Sequence, residues 1–492
     1  MRAPRPLHAL PQRLRPAHIM YEVKVSARSV EPFTEFLGRE RVSALQRRAE
    51  SIRSVLGARA IWNINSTRAG GGVAEMLLST LRYAQGLGVA VRWLVLEGPP
   101  EFFRLTKRIH NALHGSVGDG SPLGPAQTAL FERTMHENLE LLDTLVRAGD
   151  IVICHDPQTA GLIPHLVKRG VRVVWRCHIG HEQHDAEVDR GWQFLRPYLE
   201  PAALAVFSRR AYAPSWIAAQ FTVVLAPSID PFSVKNQALS DTTIAAILAH
   251  VGLVAGTARP SASVFTRDDG SLGRVDREAE VISLGGPPRA DAPLVVQVSR
   301  WDAMKDPNGV LQGFARMVES DGADSPELVL AGPSVDSVSD DPEGAQVFAA
   351  LERGFRALPH AVRRRVHLAL LPMQDSEENA AIVNALQRHA AVIVQKSLHE
   401  GFGLTVTEAL WKRRPVVASA VGGIQDQIRD GIDGLLVHDP SDLDEFVRVL
   451  RRPLQDRALA ERLSQAGHAR VRENYLTLTS LEHWATLIEQ LT

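Results

Sequence analysis

The sequence predicts an α/β chain of two doubly wound domains that face each other across a cleft. Three observations carry this. The chain has 492 residues, more than one compact core holds. Short apolar runs of strand length alternate with helical stretches, stop near Ser228, and resume at Leu294. Polar, glycine-rich clusters stand immediately after several of those runs, where an α/β site belongs.

The elements follow in chain order. Residues 33–57 read as a helix, with Leu45 and Ile52 on an apolar stripe opposite a charged face. Strand-like runs then begin at 61 (IWNIN), 91 (VRWLVLEG), 150 (DIVICHDP), 171 (VRVVWRCHI), 202 (AALAVFS) and 221 (FTVVLAPSI). They are apolar on both faces, as in a parallel sheet covered by helices on each side. Val73, Leu77, Leu81 and Ala84 recur at helical spacing between the first two. Residues 232–256 look helical, and Asp268, Asp269 and Gly270 predict a β-hairpin turn between two short arms. The second alternation runs through LVVQVSR (294), ELVLAG (327), VHLALLP (366), AVIVQKS (391), PVVAS (415) and GLLV (434). From 452 onward the chain is helical and charged. The expected division is therefore 1–235 as an N-terminal Rossmann-like domain with a helical extension, and 236–290 as an inter-domain helix and hairpin. A C-terminal Rossmann-like domain follows at 291–470, and then a helix at 471–492 returning to the first domain.

Composition excludes several classes. Net charge is -1, from 55 basic and 56 acidic residues, against the basic excess of a nucleic-acid binder. The two cysteines, Cys154 and Cys177, lie in separate apolar runs without a C-x-x-C pair, so neither a disulfide framework nor a zinc knuckle is expected. No apolar run approaches the length of a membrane span. The basic, proline-interrupted start reads as a disordered lead without a secretory h-region. A cytoplasmic protein with no membrane and no nucleic-acid partner is the expectation, and a homodimer is compatible with it.

Four clusters carry the candidate chemistry. In Asn65–Val73, Gly70, Gly71 and Gly72 let the backbone approach a ligand, and the helix behind them points amides at an anion; a plain tight turn is the alternative. His155, Asp156 and Gln158 follow one strand, and Arg176, Cys177, His178 and Gly180 the next. Two histidines and an aspartate there suggest a polar site. His178, His181 and His184 are conceivable as metal ligands, but Gly180 argues against the helix that spacing needs. Arg300 and Lys305, after the first strand of the second half, can converge on a diphosphate or remain solvated surface charges. In Lys396–Glu408, Glu400 follows a strand, Gly401 and Gly403 lead into a helix, and Glu408 lies about one turn inside it. Two carboxylates around an anion-binding helix start add like charge, which makes sense where a sugar and a ribose flank a diphosphate.

These residues carry a family likeness. SRWDAMKD and HEGFGLTVTEA resemble the retaining glycosyltransferases of the GT-B fold, family 4. WNINSTRAGGGVAEMLLSTL, EFFRLTKRIHNALHG, ICHDPQTAGLIP, VWRCHIG and APSIDPFSVKN resemble, more narrowly, the trehalose glycosyltransferring synthase (trehalose synthase) branch. Retaining trehalose phosphorylases look similar over the same regions. The resemblance implies that Arg300 and Lys305 bind the donor diphosphate. It implies that Glu400 with Gly401, Phe402, Gly403, Leu404 and Thr405 holds the donor glucose and that Glu408 holds the ribose. His178 would sit by the transferred glucose, Gly71 and Gly72 would close over the diphosphate, and Asp156 and Gln158 would serve the acceptor. His178, Arg300, Lys305 and Glu400 would be the catalytic set.

The implied reaction is reversible, retaining transfer of glucose from a nucleoside diphosphate glucose (ADP- or UDP-glucose) to glucose, giving trehalose. Small sugars are the expected partners. No prosthetic group and no protein-bound metal are expected, and Mg2+ is compatible with the donor. The alternatives are a trehalose phosphorylase, a related transferase with another small acceptor, and a non-catalytic sugar-nucleotide-binding protein.

Overall fold

The computed structural model describes residues 20–68, 71–257, 260–322, 326–335 and 342–492. The basic lead at 1–19 and Gly70 lie outside the described residues. The chain forms two compact units, Met1–Ser228 with Thr477–Thr492, and Ile229–Leu476.

In the first unit the valine-, isoleucine- and tryptophan-rich runs become central strands buried on both faces, and seven strands form in all. They are β1 (Tyr21–Val23), β2 (Ile61–Asn65), β3 (Val91–Val95), β4 (Ile151–His155), β5 (Arg172–Cys177), β6 (Leu204–Phe207) and β7 (Thr222–Val224). Their order is β1-β3-β2-β4-β5-β6-β7. All pairs are parallel except the edge strand β1, which runs antiparallel to β3. One face, with Trp62, Cys154, Trp175 and Cys177, packs on helices Pro100–Leu113 and Ala186–Leu199 through Phe102, Ile109, Trp192 and Leu195. Both cysteines are free and buried. The other face is covered by helices Arg39–Leu56, Gly72–Gly86 and Thr477–Leu491. The last of these is clasped to the first by Arg41 on Glu482 at 2.6 Å and Arg48 on Glu489 at 2.8 Å. The helix expected over 33–57 is broken at Gly38 into Thr34–Leu37 and Arg39–Leu56.

The second unit holds β10 (Glu280–Ser283), β11 (Leu294–Val298), β12 (Glu327–Pro333), β13 (Val366–Leu371), β14 (Val392–Gln395), β15 (Val416–Ser419) and β16 (Leu435–Val437). The order is β10-β13-β12-β11-β14-β15-β16, with only the edge strand β10 antiparallel. The expected hairpin forms as β8 (Val264–Thr266) and β9 (Leu272–Arg274). It is pinned to the start of helix Ser376–His389, where Arg267 meets Asp375 at 2.7 Å and Glu377 at 2.6 Å. The helix expected over 232–256 is confined to Asp241–His250. Ser240 caps it through the Thr243 amide at 3.1 Å. The preceding loop stays irregular because side chains take its carbonyls: Asn384 donates to Val234 and Gln237, each at 2.9 Å, and Arg388 to Asn236 at 2.9 Å.

The strand orders fix where ligands belong. Open α/β sheets bind ligands beyond the carboxyl ends of the strands, where the order reverses. That point lies between β2 and β4 in the first unit and between β11 and β14 in the second. The loops leaving these four strands carry the glycine loop, His155–Gln158, Arg300–Lys305 and Lys396–Gly403. Among the described residues no helix is long and apolar enough to cross a membrane.

Candidate functional site

In the second unit two loops at the switch point are tied together. After β11 the chain makes a single 3-10 turn at Ala303–Lys305, capped by Asp302 on the Met304 amide at 2.8 Å. Asp306 follows in the left-handed region at φ 47 and caps helix Pro307–Asp321 through the Gly309 amide at 2.9 Å. After β14, the Leu398 amide donates to the Met304 carbonyl at 2.8 Å, and Lys396, buried, pairs with Asp306. This geometry brings Lys305 Nζ to Glu400 Oε2 at 2.5 Å. Both side chains are mostly covered, Lys305 at 18% and Glu400 at 10% exposure. Arg300 sits on the same loop but stands 66% exposed, 3.7 Å from Asp302.

The turn into the next helix needs Gly403. Its φ is +85, and a Cβ there would lie 3.1 Å from Ile424 Cγ1 and 3.2 Å from Glu400 Cγ. Gly401 accepts from the Gly423 amide at 3.1 Å, and Gln427 donates to the Gly403 carbonyl at 3.3 Å. Phe402 is buried against Tyr475, ring centroids 5.9 Å apart. Leu404 and Thr405 open helix Leu404–Trp411, which carries Glu408, 6% exposed. Lys235 approaches Glu408 at 3.6 Å. Lys412, one turn on, donates to Gln387 at 2.7 Å and Asn236 at 3.1 Å. Burial pulls its pKa down to about 7, while the Glu408 charge opposes the shift. Cations thus offset the like charge that the two carboxylates bring to the loop. Lys235 and Gln427 carry no motif of their own and were not expected; only the fold brings them to the loop.

In the first unit the carboxyl ends of β2, β4 and β5 hold a second polar group. Gly71, at φ 102, caps helix Gly72–Gly86, and both glycines are exposed. Asp156 stands at φ 60, a left-handed value that a non-glycine residue adopts at some cost. Its carboxylate accepts from the His178 amide at 2.8 Å. Burial pushes that carboxyl up to about 7, with the His178 amide and the Arg176 charge pulling the other way. Gln158 follows, half-buried, on the short helix Asp156–Thr159.

The imidazoles of His155 and His178 lie nearly parallel, with centroids 5.3 Å apart and an interplanar angle of 10°. His155 Nδ1 is 3.0 Å from His178 Nε2, and His155 Nε2 is 3.1 Å from Asn63 Oδ1. Burial, with the neighbouring Arg176 charge, drives His155 down to about 3 and His178 well below the usual imidazole value. Both rings are therefore neutral at physiological pH. His181 and His184 turn instead to the Gln183 and Ala211 carbonyls, at 2.9 and 3.4 Å. Among the described residues no three His, Cys, Asp or Glu side chains gather as a metal ion would need.

Comparison with known proteins finds a matching family in each unit. Residues 63–214 match the family described as trehalose synthase, N-terminal domain, and residues 285–470 match glycosyl transferases group 1. A trehalose synthase of Pyrococcus horikoshii is 33% identical over 476 residues, covering 96% of this chain and 100% of that protein. One from Rubrobacter xylanophilus is 33% identical, covering 95% of each. A trehalose phosphorylase of Pleurotus sajor-caju is 26% identical over 86% of this chain and 56% of its own length. Among solved structures, the trehalose-6-phosphate synthase OtsA superposes with a TM-score of 0.64 at 14% identity, covering 88% of this chain and 99% of that one. Sucrose-phosphate synthase from Thermosynechococcus elongatus gives 0.60 at 19% identity, covering 88% and 99%. These structures share the GT-B fold of two α/β domains.

Proposed function

We propose, for a chain that belongs to the trehalose synthase family of group 1, GT-B glycosyltransferases, that it transfers glucose with retention from a nucleoside diphosphate glucose to the anomeric hydroxyl of glucose, reversibly, forming α,α-trehalose. The observation that carries this reading is the second unit's switch point. There Lys305 pairs with Glu400 beside a glycine-supported helix start, with Glu408 behind it.

The roles follow from charge. A donor diphosphate competes with Glu400 for Lys305 and draws in the exposed Arg300. Glu400, released, accepts from the hydroxyls of the donor glucose, which the amides of Gly401–Gly403 help to hold. Glu408 accepts from the ribose hydroxyls. Gly71 and Gly72 serve the diphosphate, His178 the glucose, and Asp156 with Gln158 the acceptor.

In the reaction the bond between the donor's anomeric carbon and the phosphate oxygen breaks. The acceptor O1 forms the new bond on the same face, and its proton passes to the leaving phosphate. Arg300 and Lys305 stabilise the charge growing on that phosphate, the main electrostatic contribution. No protein nucleophile is required.

Purified chain is incubated with trehalose and either inorganic phosphate or a nucleoside diphosphate. Formation of nucleoside diphosphate glucose with the second alone supports the reading. Glucose 1-phosphate formed with the first replaces it with the phosphorylase. A matrix of donors against acceptors then ranks ADP- against UDP-glucose and glucose against other small sugars. Absence of turnover with every pair leaves a sugar-nucleotide-binding protein.

A further inference from the structure

We infer that Asn63 and His155 are positioning residues that hold His178 with its proton on Nε2, so that its Nδ1 offers a lone pair to a sugar hydroxyl. The chain of bonds sets the direction. Asn63 Oδ1 can only accept, so His155 Nε2 carries the proton across the 3.1 Å contact. A neutral imidazole has one N–H, so His155 Nδ1 is the acceptor in the 3.0 Å contact and His178 Nε2 the donor. Asn63 and His155 are 4% and 2% exposed, so water does not compete for these positions. Burial, and after it the charge of Arg176, itself 1% exposed, keep both rings from taking a second proton. Among the described residues both nitrogens at the head of its guanidinium are buried without a hydrogen-bond partner.

His178 is the half-buried end of the relay. Its Nε2 is committed to His155 and its amide to Asp156. Among the described residues its Nδ1 has no hydrogen-bond partner, and it is left for the ligand. The site is thereby built for a hydroxyl donor and selects against a ligand that lacks one there. That the donor in question is a hydroxyl of the transferred glucose rests on the function proposed above. The relay itself does not, because it is present in the free chain.

The first test needs no substrate. Histidine-selective 15N labelling of the full chain and long-range proton–nitrogen correlation report which ring nitrogen carries the proton. The His178 signal is assigned by its loss in His178→Ala. The relay predicts a protonated Nε2 and a bare Nδ1; a proton on Nδ1 overturns it. Asn63→Asp retains an acceptor and keeps the tautomer, whereas Asn63→Leu gives a mixture; a tautomer unmoved by Asn63→Leu also overturns it.

The second test screens donors that each lack one glucose hydroxyl and compares the glucose donor with the deoxy counterpart turned over most slowly. The intact chain is expected to favour the hydroxyl-bearing donor by about 10²–10³-fold in kcat/KM, since a buried acceptor left unpaired is costly. Asn63→Leu brings the ratio to within about tenfold and Asn63→Asp preserves it. Equal loss of turnover for both donors in Asn63→Leu, at unchanged ratio, marks a merely structural asparagine and defeats the inference. A chain that turns over no donor fails the proposed function, and the tautomer then decides the relay alone.

Discussion

Lys305→Met removes the cation from a pair whose two partners are 18% and 10% exposed and 2.5 Å apart. Breaking a fully buried pair costs about 3–5 kcal/mol, chiefly because the surviving charge is left without a partner. Partial exposure lets water recover some of this, so about 2–3 kcal/mol of folding stability is expected to go. The double variant Lys305→Met, Glu400→Gln should regain most of it, because the uncompensated negative charge is gone. Activity should behave differently. Loss of one preorganised charge on the leaving group lowers kcat/KM by about 10²–10³-fold, and the second substitution should deepen that loss. Denaturant unfolding measures the first effect and initial rates of nucleotide release the second. Unchanged kcat/KM in Lys305→Met would refute the diphosphate assignment. A double variant less stable than the single would refute the account of the pair.

Glu408→Gln should raise the donor KM about ten- to a hundredfold with kcat nearly kept, since the ribose contact holds ground and transition states alike; steady-state kinetics that place the loss in kcat alone would count against it. Gly403→Ala should cost about 1–2 kcal/mol, because its φ of +85 is one an alanine resists and the new Cβ presses on Ile424 and Glu400. A parallel fall in unfolding midpoint and kcat/KM is expected, and an unaltered enzyme would contradict the packing described. Lys412, lowered from 10.5 to about 7 by burial, binds its proton in the unfolded chain over a range where the folded chain has released it. Stability should therefore rise with pH from about 7 toward 10.5, by up to about 1.4 kcal/mol per pH unit, and fall as pH drops through that range. Urea titrations of the chain and of Lys412→Met should differ by this slope; identical slopes would show that Lys412 stays protonated.

Both sheets were legible in the sequence because parallel strands buried on two faces leave continuous apolar runs. The glycine loop, His155–Gln158, Arg300–Lys305 and Lys396–Gly403 were legible because each directly follows such a run at a switch point. The edge strands Tyr21–Val23 and Glu280–Ser283 were not read. Each is three or four residues long, carries no full alternation, and is held by its antiparallel neighbour. The helix expected over 232–256 was overextended, because nothing local reveals that Asn384 and Arg388, some 150 residues away, claim its carbonyls. Sequence separation likewise hid Lys235 from Glu408, whereas Gln427, only 24 residues beyond Gly403, carries no motif of its own. Asn63 was hidden differently. Inside IWNIN it reads as an interior strand residue, and its role appears only once β2 and β4 lie side by side.

The most direct test of the proposed chemistry is the stereochemistry of one product. The chain is mixed with a nucleoside diphosphate α-glucose and glucose, and the anomeric protons are followed by NMR from the first minutes. Retaining transfer from an α-linked donor to the α anomer of glucose predicts α,α-trehalose as the first disaccharide, appearing in step with free nucleoside diphosphate. A product with a β configuration at the donated glucose, or nucleotide release without any trehalose, would contradict it.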